Sequence, residues 1–470
     1  MIRETVRSWG LSPLLNAGVN LQTLFWSVAI LIFIVHYLLP GLGELRWTIK
    51  AQSLGKLVPR ERKPWFPFNI LRIRRVIKMF REQKRMEFMR EQIKASANPN
   101  NPNTIRVSML TRRIILTTDP ENIKAVLATQ FTDYGKGEKF NKEWHDFLGD
   151  SIFTTDGDLW HNSRNLLRPQ FIKDRVSDLE IFETHAMSLI QILSNTKGEP
   201  VDISELFFAF ALDAATDFLL GKSSHSLQNQ QDEFAKAFKV VQTRQLMNSI
   251  LGPLKLLVLR DQIMAVLLAG RDTTACTLSW LFYELSIHPH VVAKLRQEIE
   301  TTVDLERAPT YADFKNMRYL QSTLNETLRM YPAAPFNVRV ALKDTTLPHG
   351  GGSDGNQPIG IPRGTEISYA PLIMQRRADL YPSDQLPAEE FSPERWEHWF
   401  PKSWTYIPFN GGPRICLGQQ FALTEMGYTV VRILQRFSTV ECRQPDNKAP
   451  AMVTDIVVSP HHGVTISLFE

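Results

Sequence analysis

The chain has 470 residues, 43% of them hydrophobic and 22% charged, which is enough apolar material for a large core and argues against extended disorder. Its three cysteines exclude a disulfide framework and fit a reducing compartment for the bulk of the chain. The net charge of +5 is unevenly placed: Arg46 to Lys94 holds 15 Lys/Arg against 4 Asp/Glu, with no groove-reading or base-stacking element beside it, which argues for a membrane surface and against nucleic acid.

Between Arg7 and Glu44 there is no charged residue, and Leu21 to Leu39 is almost wholly apolar, with Trp26 and Tyr37 near its ends. As a helix this stretch spans about 28 Å, close to the thickness of a bilayer core. A cleaved signal peptide would have a shorter apolar stretch ending in small residues, whereas this one ends His-Tyr-Leu-Leu-Pro. Residues 1–45 are therefore expected to be a luminal stub and a retained, single-pass membrane anchor. The basic residues that follow place the C-terminal bulk in the cytosol. Pro59, Pro64 and Pro67 make residues 46–69 a stiff basic hinge, and residues 70–470 are expected to form one domain.

Ile70 to Lys94 carries Ile73, Val76, Ile77, Phe80 and Phe88 among basic residues, an amphipathic helix that suits a membrane surface or plain solvent. Arg106–Leu110 and Arg113–Thr117 read as a short hairpin, and Asp119-Pro120-Glu121 opens a helix. Trp160 and Arg164 lie one helical turn apart on one face. Indole and guanidinium are donors only, so the pair suits carboxylates; the rival reading is an ordinary aromatic–Arg surface pair. Phe171 to Leu220 reads as helices, including a very apolar one from Ile203, and Phe234 to Leu251 as another.

The helix Leu259–Ile287 contains Ala269-Gly-Arg-Asp-Thr-Thr274, in which Gly270 lacks a side chain and Thr273 and Thr274 can bond back to the carbonyls of Ala269 and Gly270, loosening the helix. Asp272 and Thr273 are adjacent and so about 100° apart, which lets one face a pocket while the other reaches toward solvent. Glu326 and Arg329 are spaced as an i, i+3 pair, and Arg395 follows in Phe391-Ser-Pro-Glu-Arg-Trp396. Arg339 sits in the strand-like Asn337–Leu342. Gly350 to Gly355 matches Gly-x-Gly-x-x-Gly only formally; no helix can follow Asn356-Gln-Pro358, so it is a hairpin loop and not a dinucleotide site.

The stretch Phe409-Asn-Gly-Gly-Pro-Arg-Ile-Cys-Leu-Gly418 presents Cys416 in a Gly-Pro loop before an amphipathic helix. The helix start and Arg414 favour the thiolate that ligates metal, and Gly411, Gly412 and Gly418 leave room for a flat cofactor. Cys276 and Cys442 read as structural. The loop matches Phe-x-x-Gly-x-Arg-x-Cys-x-Gly, and through it the chain resembles the cytochrome P450 family, closest to the fungal membrane-bound enzymes that hydroxylate alkanes and fatty acids.

That resemblance implies a mainly α fold with a small β-rich subdomain and a haem b whose iron takes Cys416 as axial ligand. Trp160, Arg164, Arg339 and Arg414 would partner the haem carboxylates, with Gly270, Phe409 and Gly418 beside the cofactor. Asp272 and Thr273 would deliver protons to oxygen, and Glu326, Arg329 and Arg395 would form a buried triad that holds the cysteine loop. The implied reaction inserts one atom of O2 into an aliphatic C–H bond of an apolar substrate, at the ω end. Electrons would come from NADPH through a separate flavoprotein, an NADPH-cytochrome reductase, at the endoplasmic reticulum membrane. In one respect the chain departs from the family. Trp160 and Gly270 are 110 residues apart, too few for all the helices placed there, so part of the roof over the substrate pocket is expected to be missing near Lys255–Leu259. A second reading is therefore a non-catalytic or impaired haem-binding remnant. Gln375 stands where a His is common in the family.

Overall fold

The computed structural model describes residues 39–59, 78–79, 82–94, 102–109, 112–229, 261–382, 386–445 and 448–470, together with positions 26, 27, 30, 31 and 34. Most of the expected anchor Leu21–Leu39, the hinge beyond residue 59, the N-terminal part of the amphipathic stretch, the helix Phe234–Leu251 and the shortened segment Lys255–Leu259 lie outside these residues. Among the described residues no helix is long and apolar enough to cross a membrane.

Helix α1 spans Leu39–Leu54, so residues 46–54 are helical where the proline-based reading expected hinge. Gly41 and Gly43 lower its intrinsic propensity, but tertiary packing supplies what they lack. Trp47 and Ala51, one turn apart, are buried; the Trp47 indole donates to Thr365 Oγ1 at 2.9 Å, and Glu44 pairs with Arg106 at 2.9 Å. Helix α2 spans Arg85–Lys94, and Gln83 shortly before it takes a positive φ. Its Met86 and Ile93 are packed into the protein core, while Ile73, Val76, Ile77 and Phe80 of the expected amphipathic face lie outside the described residues.

Strands β1 (Thr104–Met109) and β2 (Arg112–Thr117) form the expected antiparallel hairpin. Asp119 then caps α3 (Pro120–Lys124) by accepting from the amides of Glu121 and Asn122. After β3 (Tyr134–Gly135) come α4 (Gly137–Leu148), α5 (Gly157–Leu167), α6 (Glu180–Asn195), the short β4 (Val201–Asp202) and α7 (Ile203–Leu220). Helix α7 is apolar around most of its circumference because it is enclosed, packing extensively on α8 (Asp261–Ile287). Helices α9 (Pro289–Thr302) and α10 (Arg318–Met330) follow.

Strands β5 (Asn337–Ala341), β6 (Thr345–Gly351), β7 (Gln357–Ile361) and β8 (Glu366–Tyr369) complete the β-rich part. The main sheet has the order β1-β2-β8-β5-β3, with only β2 and β8 parallel. Strands β6 and β7 pair as a separate hairpin, with Gly352 and Gly355 at positive φ in its turn, so the glycine-rich stretch is the hairpin loop expected. The last long helix, α11 (Gln419–Arg436), lies against α6, α8, α9 and α10, and β9 (Thr439–Cys442) pairs with the C-terminal Thr465–Phe469. The mainly α core and the β-rich subdomain thus have separate apolar clusters, and the cysteine loop runs between elements of both.

Candidate active site

The cysteine loop is held from below by a buried ionic core. Glu326 Oε2 accepts from Arg329 Nε at 2.7 Å and from the Trp396 indole at 3.0 Å, while Oε1 accepts from Arg395 Nε at 3.3 Å and from the Ser392 amide at 3.0 Å. The sequence expectation of a Glu326–Arg329–Arg395 triad holds, and all three side chains are essentially inaccessible. Every lone pair of Glu326 is engaged, which a buried charge requires. Gln375 carries this order to the loop. Its Nε2 donates to the carbonyls of Leu328 and Arg329, and its Oε1 accepts from the Ile407 amide at 2.9 Å.

Three residues beyond Ile407 the loop turns sharply. Asn410 and Gly412 both have positive φ, and a Cβ on Gly412 would lie 1.8 Å from the Leu127 carbonyl oxygen. A Cβ on Gly411 would meet the Trp404 ring at 2.6 Å, and one on Gly418 would touch Phe171 at 3.4 Å. These glycines admit neighbouring protein, which corrects the reading that they make room for a cofactor. Phe409 closes the turn through its carbonyl, which accepts from the Cys416 amide at 3.0 Å, and α11 begins three residues later.

The Cys416 side chain is accessible to solvent, yet enough protein surrounds it that burial pushes its thiol above the ordinary value. The Gly418 amide and the Arg164 charge pull the other way and do not outweigh burial. Arg414 is not the thiol's partner, contrary to the sequence reading; its guanidinium donates to Asp156 Oδ1 at 2.6 Å and to the Thr155 carbonyl at 2.9 Å. The protein alone therefore does not set the thiolate. A bound metal ion, the largest local charge, would complete the deprotonation.

Around Asp156 gather more cations than it can neutralise. Its carboxylate also accepts from the amides of Lys136 and Gly137 at 2.9 and 2.8 Å. Trp160 is buried, with the Arg414 guanidinium 4.5 Å and the Arg164 guanidinium 5.9 Å from its ring centre. Arg164 donates to the Ile415 carbonyl at 3.0 Å, and Arg339, buried on β5, donates to the Val338 carbonyl at 2.9 Å and stands 5.8 Å from the Tyr369 ring. Burial, then the Arg339 charge, lowers the Arg414 pKa to about 10. Lys136, which the sequence reading missed, is pushed well below the usual lysine range by burial and by Arg339 and Arg414. Asp156 answers two of these cations, Lys136 and Arg414, while Arg339 and Arg164 act on Arg414 without such a partner among the described residues, so the cluster makes a site that a dicarboxylic ligand would neutralise. Together with an accessible thiol this donor set fits a haem.

The opposite wall is α8. Thr273 Oγ1 bonds back to the Ala269 carbonyl at 2.5 Å, as its position suggested. Thr274 does not bond back in that way; its hydroxyl reaches Glu425 Oε2 on α11 at 3.1 Å and so ties the two walls together. The absent side chain of Gly270 leaves space for α7, since a Cβ there would meet Ala215 at 3.4 Å. Ala269, Gly270 and Thr273 share a partly exposed face, whereas Asp272 is buried beside Arg271, 3.4 Å away, and does not reach toward solvent.

Comparison with known proteins agrees with this geometry. A family model described as Cytochrome P450 matches residues 77–257 and 246–466. The chain is 42% identical to the "Cytochrome P450 monooxygenase pvhE" of Talaromyces variabilis, over 91% of this chain and 93% of that protein. It is 38% identical to "Cytochrome P450 52A1" of Candida tropicalis, over 78% of this chain and 79% of that one. The family match is split into two stretches that meet at 246–257, next to the point where the sequence reading placed its gap. The alignment with the Talaromyces protein covers 505 positions, more than this chain possesses, so the relative has residues without a counterpart here.

Proposed function

This chain belongs to the cytochrome P450 family of haem-thiolate monooxygenases, and from that premise we propose that it hydroxylates an aliphatic chain, an alkane or a fatty acid, at the ω end. Haem bound through a cysteine thiolate supplies the reductive activation of O2 and the transfer of one oxygen atom. Cys416 is the ligand, fixed at its amide by the Phe409 carbonyl and held in register by Gln375 and the Glu326 core. Lys136, Arg164, Arg339 and Arg414 hold the haem carboxylates, with Trp160 beside two of the guanidinium groups. Phe409 and Gly418 flank the ligand, while Gly270 and Thr273 line the oxygen side. Thr273 positions a proton there, and Asp272, the next residue toward the N-terminus, is held by Arg271 as the nearest acid on α8 to pass one on.

The observation that carries this reading is the accessible Cys416 beside a cluster of cations, Lys136, Arg164, Arg339 and Arg414, of which only Lys136 and Arg414 are answered by Asp156. Membership of the family supports the reading that electrons from NADPH arrive through a separate reductase. The apolar, charge-free stretch before Glu44 supports a location on the endoplasmic reticulum membrane with the catalytic domain in the cytosol. Incubating the full chain with a flavoprotein reductase, NADPH and a medium-chain fatty acid is expected to yield the ω-hydroxy acid. Product hydroxylated elsewhere would contradict the regiochemistry. The split match at 246–257 favours a second reading, an impaired haem binder; haem uptake without any NADPH-dependent product would support it.

A further inference from the structure

Glu425 has no part in the chemistry above, yet it bridges the two walls through its bond to Thr274. It lies on α11, nine residues after Cys416, and is completely buried. Its Oε2 is hydrogen-bonded by Thr274, the residue after Thr273, and its Oε1 is buried with no partner among the described residues. A carboxylate with one hydrogen bond in an apolar junction is very unfavourable, whereas the protonated acid needs far less solvation. Charged groups on the helices packed against α11 include Glu183 and His185 on α6, Arg271 and Asp272 on α8, Arg296 on α9, and Glu326 and Arg329 on α10. None of them acts on Glu425, nor do Arg432 and Arg436 on its own helix; burial raises its pKa to about 8, opposed only by the Thr274 bond.

We propose that Glu425 is a positioning residue for the site: as an uncharged acid it fastens the helix carrying Thr273 to the helix that starts beside Cys416, and losing its proton releases that fastening. The step is a simple acid dissociation in which the proton passes to water or buffer base, with no electron transferred. Ionisation demands solvent, and the closest way to admit it is to part α8 from α11 around Thr274. The oxygen-side threonine then loses its fixed distance from the ligand helix, and reduced oxygen leaks away as peroxide instead of reaching substrate. The peroxide consequence rests on the monooxygenase reading above; the fastening does not.

Infrared spectra of the full-length protein and of Glu425→Gln, recorded from pH 6 to pH 9.5, test the proposal directly. The wild-type protein should show a protonated-carboxyl band that the variant lacks and that disappears with a midpoint of about 8. Amide exchange in the turn 269–277, corrected for its intrinsic pH dependence, should accelerate about tenfold per pH unit above that midpoint in the wild type and stay flat in Glu425→Gln. With reductase supplied, peroxide released per NADPH should follow the same curve. Absence of the band at pH 6, or an equal pH response of exchange in both proteins, would overturn the proposal. Those two readouts need no turnover, so they decide it even when no substrate is oxidised. Thr274→Val provides the second variant: it removes the bond from the other side and should loosen the same turn at all pH values, and unchanged exchange would count against the fastening.

Discussion

Gln375 Oε1 accepts the Ile407 amide hydrogen at 2.9 Å, while the same side chain donates to the Leu328 and Arg329 carbonyls. One buried amide thereby joins the end of α10 to the start of the cysteine loop. Gln375→Leu would leave the Ile407 N–H unsatisfied and should cost about 1–3 kcal/mol in denaturant unfolding of the holoprotein. It should also speed haem loss, while Gln375→His, which keeps a donor and an acceptor, should lie near the wild type.

Removing the charge at the centre of that core should be more severe. Glu326→Gln leaves Arg329 and Arg395 buried without a counter-charge, and breaking such a pair costs about 3–5 kcal/mol. Equilibrium unfolding, or the fraction recovered folded with haem, measures it.

Gly412 tests the turn. With φ of +66° and a Cβ that would sit 1.8 Å from the Leu127 oxygen, Gly412→Ala combines backbone strain with a backbone clash. The expected outcome is a folded protein with little thiolate-bound haem, read as the ratio of Soret to protein absorbance. Gly364→Ala, also at positive φ but with open space around it, should leave that ratio unchanged and isolates the clash.

Lys136 should give opposite signs in the haem-free and haem-bound protein. Its folded pKa is depressed by burial and by Arg339 and Arg414, so between that value and the ordinary lysine range the unfolded chain binds more protons. Stability of the haem-free protein contributed by this group therefore rises with pH through that window. Lys136→Met should remove the slope and raise the melting temperature of the haem-free protein near neutral pH. In the same variant haem affinity should fall by about tenfold, the equivalent of one charge-assisted hydrogen bond. Titration of haem into the haem-free protein checks the second sign.

How much of this was legible beforehand follows the range of the interactions involved. The β1–β2 hairpin, the Asp119 cap, the apolar α7, the triad and the cysteine loop announce themselves through local pattern or motif, and the structure keeps them. Helix α1 was hidden because Gly41, Gly43 and the basic run look like a linker; its helicity depends on Trp47 meeting Thr365, more than three hundred residues away. Lys136, Gln375 and Glu425 were likewise invisible as functional groups, since each matters through partners brought together only by folding. Thr274 shows the limit of local reasoning: backbone geometry allows it to bond within its own helix, and tertiary contact sends it to α11 instead. A polar residue buried on the inward face of α11 was the available clue to Glu425.

The central claim is that Cys416, supported by the Gln375–Glu326 framework and the cations around Asp156, holds a haem through its thiolate. The absorption spectrum of the reduced, CO-bound full-length protein tests it most directly. The account predicts the red-shifted Soret band of a thiolate-ligated haem in the wild type and its loss in Cys416→Ser. A wild-type band at the position of a histidine-ligated haem, or no haem bound at all, would contradict it.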